Sequence, residues 1–509
     1  MSLLHLLSTG ERDSPDKTAL LLIGGTGEPE RWSYCKLFDH SHRLATGLAA
    51  RGLRRGDRVA FYLGNCVEFV IAYLAVIQLG AIMVPINLAY RRREIVNILL
   101  DAEPRFVVTE EDRLGTLDEI APADRSSVEA VLSVGDLAGM AGIETATDAL
   151  PVEGAETALI MYTSGTTGRS KGAVLSHDNL AATVGGLLEA WAWSSDDTLL
   201  LALPLFHTHG LIVGLHCALA AGATVRLHRR FEVARVADEV TGGADGPRPT
   251  LFFGVPAMYG RLVKEFERRD NSEGIGGMRL FCSGSAPLDP ETFRAFEGLT
   301  GHAILERYGM TETGMLLSNP YHGERRPGTV GTPLPGVSAR IVDEAGESLD
   351  VGVEGELLVG GANVFSGYWK ASEKTAESFS TDTDGGRWFH TGDLAVRDPE
   401  SGYYTLLGRR HELILSGGFN IYPREIEEVL TSHPAVREAA VVGRPHSEWG
   451  ETPVAYLVVD EPVEDQALIE HCREQIAAFK VPHRYVLVDA LPRNALGKVQ
   501  KHLLPGEDA

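Results

Sequence analysis

Tyr162-Thr163-Ser164-Gly165-Thr166-Thr167-Gly168-Arg169-Ser170-Lys171-Gly172 is the stretch on which the reading of this chain turns. An apolar run, Ala158 to Tyr162, enters it, and a second run, Ala173-Val174-Leu175-Ser176, leaves it. Strand, loop, strand is therefore expected, with a loop of small hydroxylated residues and glycines that ends in a cation. Glycines let successive backbone N–H groups converge on a phosphate, hydroxyls add donors, and a lysine balances the charge. The spacing is not GxxxxGK[ST], and a strand follows where a Walker loop would open a helix. A plain surface hairpin is the alternative.

Moving outward, helical patterns alternate with short β-branched runs. Lys36 to Arg51 reads as a helix, Arg58 to Leu63 as a strand, 67–79 as a helix and Arg105 to Thr109 as a buried strand. That alternation predicts parallel sheets flanked by helices. After about residue 340 the texture changes to short strands among glycine-rich turns, at Arg340 to Val342, Glu356 to Val359 and Tyr403 to Leu407. Pro423 to Thr431 reads as a helix with Pro at its start and acids in its first turn. Strands at 436–443 and 453–459, a helix at 465–478 and a strand at 485–488 complete the pattern. The expected fold is α/β: a large N-terminal domain, 1–409, of parallel sheets flanked by helices plus a β-rich subdomain. A small α+β C-terminal domain, 410–509, follows on a hinge.

Composition excludes several classes. The chain has 509 residues, and single cores stop growing at roughly 250–300, so two or more domains are required. Its net charge is −23, which argues against a general nucleic-acid or acidic-membrane binder, although a local cradle of N–H groups and cations still takes an anion. The five cysteines are scattered, with no CxxC pair, as in a reducing compartment and not in a zinc or disulfide framework. The first residues lack the basic region of a signal peptide, and Glu11, Asp13 and Asp16 do not suit a transit peptide, so a cytoplasmic location is expected. Phe69 to Ile86 is nearly all apolar, but Gln78, Gly80 and Pro85 interrupt it. A buried helix (67–79) followed by a strand (81–86) suits it better than a membrane span.

Further motifs follow the loop in order: Glu306-Arg307-Tyr308-Gly309-Met310-Thr311-Glu312-Thr313, His390-Thr391-Gly392-Asp393-Leu394, Gly408-Arg409, Ser416-Gly417-Gly418-Phe419-Asn420 and Pro492-Arg493-Asn494-Ala495-Leu496-Gly497-Lys498. Together with the loop they resemble the adenylate-forming (ANL) superfamily of acyl-CoA synthetases, luciferases and peptide-synthetase adenylation domains, over essentially the full length. The resemblance implies ATP and Mg²⁺, with coenzyme A as co-substrate. Thr163 to Gly168 and Lys171 would take the phosphates. Ser285, Ala286, Glu306, Arg307, Tyr308, Gly309 and Thr311 would line the nucleotide, with the Tyr308 ring against adenine. Glu312 is a carboxylate suited to Mg²⁺, which keeps several waters and takes few protein oxygens. Asp393 and Arg409 would hold the ribose. Lys498 resembles the lysine that stabilises charge developing as the acid displaces pyrophosphate. Ser416, Gly417 and Gly418 resemble the loop of the pantetheine tunnel. His411 stands where the family's small domain swings.

For the acid, the segments Phe206-His207-Thr208-His209-Gly210, Val255-Pro256-Ala257-Met258-Tyr259-Gly260-Arg261 and Ser283-Gly284-Ser285-Ala286-Pro287-Leu288 look most like malonyl-CoA synthetases. So does Asn319 to Gly331. The resemblance implies malonate or methylmalonate as the acid, an acyl-AMP intermediate, and AMP with pyrophosphate as products. His209, Arg261, Ser285 and Met310 would bind the acid. A buried second carboxylate needs a cation and donors, and Arg261 is the candidate, against a reading as a solvent-facing helix arginine. Other readings are a short- or medium-chain monocarboxylate ligase, an adenylation module for a carrier protein, and a nucleotide sensor without catalysis. No carrier sequence is seen in this chain, and a sensor has no use for Lys498. The partners expected are small molecules, with no nucleic acid and no membrane span.

Overall fold

The computed structural model describes residues 3–24, 29–90, 92–141, 152–163, 171–243, 245–269, 275, 277–409, 412–416, 419–421, 423–446, 450–476, 478–494 and 497–505. The chain divides into two compact units, Met1–Ser338 with Val359–Phe389, and Ala339–Leu358 with His390–Ala509.

The first unit is built on two sheets. In the larger, the parallel strands run in the order Leu305–Met310, Leu280–Ser283, Leu251–Gly254, Thr198–Leu201, Thr224–His228, Thr18–Ile23. Gly314–Ser318 and Glu30–Ser33 are added antiparallel on either side. Runs such as Leu251–Gly254 and Leu280–Ser283 are buried along their whole length, as strands covered on both faces must be. Beneath the sheet's 251–310 strands, Phe252, Phe281, Tyr259 and Phe296 pack edge to face.

In the second sheet, Thr157–Thr163, Ile82–Pro85, Arg58–Tyr62, Phe106–Thr109 and Ala130–Ser133 are parallel. The helix Val67–Gln78 is buried all round apart from Glu68, which explains why the sequence there carries no polar face. Its Tyr73 stacks on His216 at 5.3 Å. No helix among the described residues is long and apolar enough to cross a membrane. Thr157–Thr163 pairs antiparallel with Lys171–Ser176, Thr163 opposite Lys171, so the expected strand–loop–strand is a hairpin.

In the second unit, Asp393–Arg397 pairs antiparallel with Tyr404–Arg409. Beyond it, Val436–His446 and Gly450–Val459 form a long antiparallel ribbon, flanked by Ile414–Ser416 and by the parallel strand Arg484–Leu487. The helices Pro423–Thr431 and Asp465–Gln475 cover it, and Ile414, Ile421, Ile426, Leu430, Leu457, Leu468 and Cys472 form the core. The second helix stops short of the expected 478. Ile476 turns extended, at φ −132° and ψ 158°, and packs against that core. The whole is mixed α/β, with parallel sheets, a β-rich stretch and a C-terminal α+β region, as expected.

Candidate active site

Buried groups of the first unit, Phe253, Cys282, His209 and Arg307 among them, meet near the carboxyl ends of its parallel strands, the usual place for a ligand in such sheets. Register explains the meeting. Phe253 pairs with Cys282, and Cys282 with Leu305, so these three share one face of the sheet. With a period of two, Gly284 and Arg307 share it as well. A Cβ on Gly284 would overlap the Arg307 guanidinium, so the glycine leaves room for it. On the same face the His209 ring stacks on Phe253, with centroids 6.3 Å apart.

His209 opens a π-helical turn, His209–His216, of a kind often found at functional positions. A Cβ at Gly210 would overlap the Pro204 carbonyl, so this turn folds back tightly on its own entry. His209 Nδ1 lies 3.4 Å from Ser285 Oγ. Ser285 itself has φ +71°, a left-handed backbone that costs a non-glycine residue about 1 kcal/mol or more and is concentrated at functional sites. Burial, then the Arg307 guanidinium, holds His207 down to about 4. The same two causes, in the same order, and then His207 keep His209 well below the usual imidazole range. Both rings are therefore neutral at neutral pH. His209 Nε2 and Ser283 Oγ are buried without a hydrogen-bond partner.

The Tyr308–Glu312 segment turns out of its strand at an irregularity between Tyr308 and Gly309, where a Cβ on Gly309 would overlap the Gly314 carbonyl. Tyr308, Met310 and Thr311 are half-buried there. Glu312 is 6% exposed, and the Tyr368 hydroxyl donates to its Oε1 at 3.0 Å. Lys171, at the end of the hairpin, lies 5.7 Å from the Tyr368 ring centroid. Burial and the Lys374 ammonium lower its affinity for a proton, against the pull of Glu312 and Glu377. Thr163 Oγ1 donates to the Lys171 carbonyl at 3.5 Å. A lysine and a buried carboxylate thus stand beside one tyrosine.

Other expected residues are placed differently. The Glu306 carboxylate accepts from the Gly328 backbone N–H at 2.9 Å and so fixes a loop. Ala286 is exposed. Arg261 lies on the exposed side of the helix Pro256–Arg269, its guanidinium 5.0 Å from the centre of the Phe231 ring. Arg307, expected with the nucleotide set, stands with His207, His209 and Cys282. Ser164, Gly165, Thr166, Thr167, Gly168, His411, Gly417 and Gly418 lie outside the described residues. Sequence reading missed Tyr368 and Phe253. It named Ser283 and Gly284 only within a longer segment.

In the second unit, Asp393 is 6% exposed and accepts from Arg409 Nε at 2.8 Å. Arg409 Nη1 donates to the Thr391 carbonyl at 2.9 Å, and the Asp393 N–H donates to Thr391 Oγ1. Lys498 sits in a turn held by Asn494, whose Oδ1 accepts the Lys498 N–H at 3.0 Å. Its side chain is exposed. The surrounding protein mass, then the Arg409 guanidinium, lowers its proton affinity, and Glu412 and Asp393 oppose the shift. Ser416 is buried at the end of its strand. Among the described residues no group of three or more His, Cys, Asp or Glu could hold a metal ion. A single buried carboxylate such as Glu312 still fits Mg²⁺, which binds through one or two carboxylates, substrate phosphates and water.

A family model described as AMP-binding enzyme matches residues 8–369, and a second, AMP-binding enzyme C-terminal domain, matches 425–498. The chain is 35% identical over 509 residues to the mouse protein named malonate–CoA ligase ACSF3, mitochondrial, covering 92% of this chain and 85% of that one. It is 33% identical to a sulfoacetate–CoA ligase of Cupriavidus necator, over 98% of this chain and 96% of that one. ATP-bound MatB from Rhodopseudomonas palustris superposes with a TM-score of 0.90 at 40% identity, over 99% of this chain and 98% of that one. The chain belongs to the AMP-binding enzyme family.

Proposed function

We propose that this member of the AMP-binding enzyme family is an acid–CoA ligase that uses ATP to join malonate, or methylmalonate, to coenzyme A. The observation that carries the acid is the buried, unpartnered His209 Nε2 in the field of the buried Arg307 guanidinium. An alkyl chain there would leave it unpaired, a costly outcome, whereas an acid with a polar far end satisfies it. The likeness to a malonate–CoA ligase and to ATP-bound MatB supports the same reading.

In the first half-reaction a carboxylate oxygen of the acid attacks the α-phosphorus of ATP. The bond to pyrophosphate breaks, and acyl-AMP forms. Tyr308 offers its ring face to adenine, Thr311 and Thr163 to Gly168 offer hydroxyl and N–H donors, and Lys171 and Lys498 supply positive charge where negative charge builds up. Asp393 accepts from the ribose hydroxyls, steadied by Arg409. Glu312 would hold Mg²⁺, which when bound neutralises the phosphates. His209, Ser285 and Met310 would line the acid, with Arg261 of the helix Pro256–Arg269 as the cation read from the sequence. In the second half-reaction the thiol sulfur of coenzyme A attacks the acyl carbon and AMP leaves with its bonding pair. Ser416, Gly417 and Gly418 would border the pantetheine arm.

The proposal includes a division into domains 1–409 and 410–509, with His411 as hinge. It also includes a cytoplasmic location, on the strength of five free cysteines, four of them buried. The test is product identification. With malonate, ATP and coenzyme A, one AMP and one pyrophosphate should appear per malonyl-CoA. ADP and phosphate in that ratio would refute it.

A further inference from the structure

Lys501 stands one short turn beyond Lys498 in the second unit, at the start of the 3₁₀ segment Lys501–Leu503. Its ammonium lies between two carboxylates, 2.7 Å from Glu427 Oε1 and 3.2 Å from Glu412 Oε2. The lysine side chain is 18% exposed and the two carboxylates 21% and 30%, so the bridge is sheltered and salt screens it less than a surface pair. Without the shared cation, two like charges would face each other, so Lys501 sets the spacing of these groups as well as their contact.

Each carboxylate leads on to another part of the unit. Glu427 Oε1 also accepts the Val441 N–H at 2.7 Å, which ties it to the long ribbon. Glu427 and Arg424 are neighbours on one face of the helix Pro423–Thr431. Arg424 Nη1 donates to the Leu406 carbonyl at 2.8 Å, on the strand that carries Arg409. Glu412 lies just before the strand Ile414–Ser416. The Lys498 turn is closed by its own backbone, Asn494 N–H on the Lys498 carbonyl at 2.9 Å and Gln500 N–H on the Pro492 carbonyl at 2.7 Å. Arg493 fixes its entry to Glu438 of the ribbon. Lys501 fixes its exit, through the helix, to the hairpin of Asp393 and Arg409. The charges of Arg409, Glu412 and Asp393 all act on the Lys498 ammonium, as that arrangement requires.

We infer that Lys501 is a positioning residue for adenylate formation: its bridge to Glu427 and Glu412 holds the Lys498 turn in register with the Asp393–Arg409 hairpin. The inference rests on the reading of Lys498 as the lysine of the first half-reaction.

The experiment compares full-length wild type, Lys501→Met, Lys498→Ala and the double variant in two assays. Pyrophosphate exchange with malonate and saturating ATP reads the first half-reaction, and thioester release from synthetic malonyl-AMP reads the second. Lys501→Met should slow exchange by about tenfold or more and leave thioester release within about threefold of wild type. The double variant should exchange no more slowly than Lys498→Ala, because Lys501 acts through Lys498. Arg424→Met, at the other end of the bracket, should also slow exchange selectively. Unchanged exchange in Lys501→Met, equal losses in both assays, or a full further loss on the Lys498→Ala background overturns the inference. Should Lys501→Met fail to fold, Glu427→Gln, which keeps an acceptor for the Val441 N–H and drops the charge, goes through the same assays. Selective loss of exchange then supports the inference, and equal or absent loss overturns it. A wild type without malonate-dependent exchange refutes the reaction assignment, and the inference with it, before any variant is made.

Discussion

Asp393 and Arg409 face each other across an antiparallel hairpin, and Arg409 Nε donates to Asp393 Oδ1 at 2.8 Å. The two strands set this pairing by register, and the Thr391 carbonyl and hydroxyl hold both residues from behind. The carboxylate is thereby held in place, as the proposed ribose anchor requires. Such support fixes an anchor before the ligand arrives, which reduces the ordering cost of binding.

Asp393→Asn should therefore raise the KM for ATP by about tenfold or more, in line with the loss of charge-assisted hydrogen bonds worth about 1.5–3 kcal/mol. The KM for the acid should move little. Initial rates over an ATP series at saturating acid check this, and an unchanged ATP KM would count against Asp393 as the ribose anchor.

Lys498 and Gly418 should separate the two half-reactions. Lys498→Ala should lower acyl-AMP formation by about two orders of magnitude, the scale of a lost electrostatic contact in a transition state. Supplied malonyl-AMP should still react with coenzyme A. Gly418→Trp should do the reverse by narrowing the pantetheine path. Pyrophosphate exchange reads the first step and thioester release from synthetic adenylate the second. Loss of the same step in both variants would contradict the assignment.

Acid should destabilise the protein through its buried histidines. Burial, then His177, holds His216 down to about 3, and both its ring nitrogens lack partners beside Tyr73. With a folded value below the unfolded one, the unfolded chain binds the extra proton. Stability is then full above about pH 6.5 and falls by up to about 1.4 kcal/mol per pH unit for each such histidine as pH drops toward the folded value. His216→Phe keeps the stack on Tyr73 and removes the titration. Thermal midpoints at pH 7.5, 6 and 5 should decline less steeply in the variant. Parallel slopes would show that His216 is not held neutral.

Much of this was legible in residue patterns. The Pro423–Thr431 helix is bounded as read because Pro at the first turn and the acid Glu425 mark its start. The hairpin that carries Lys171 follows from two apolar runs around a glycine-rich loop. Three-dimensional pairing decided what was missed. Glu306 and Arg307 read as one motif, yet strand alternation sends one to the Gly328 loop and the other beside His209. Tyr368 reaches Glu312 from 56 residues away, a separation no local pattern encodes. Arg261 has the helix position expected of it, but its side chain lies over Phe231 on the exposed side.

The most direct test of the account is an acid panel on the purified wild type: malonate, methylmalonate, sulfoacetate, acetate, propionate and butyrate, each scored by kcat/KM for acyl-CoA formation. A buried cation and the unpartnered His209 Nε2 favour an acid that brings a second charge, so malonate should exceed acetate, propionate and butyrate by about two orders of magnitude or more. A butyrate value equal to or above that for malonate would contradict the account and make the chain a monocarboxylate ligase.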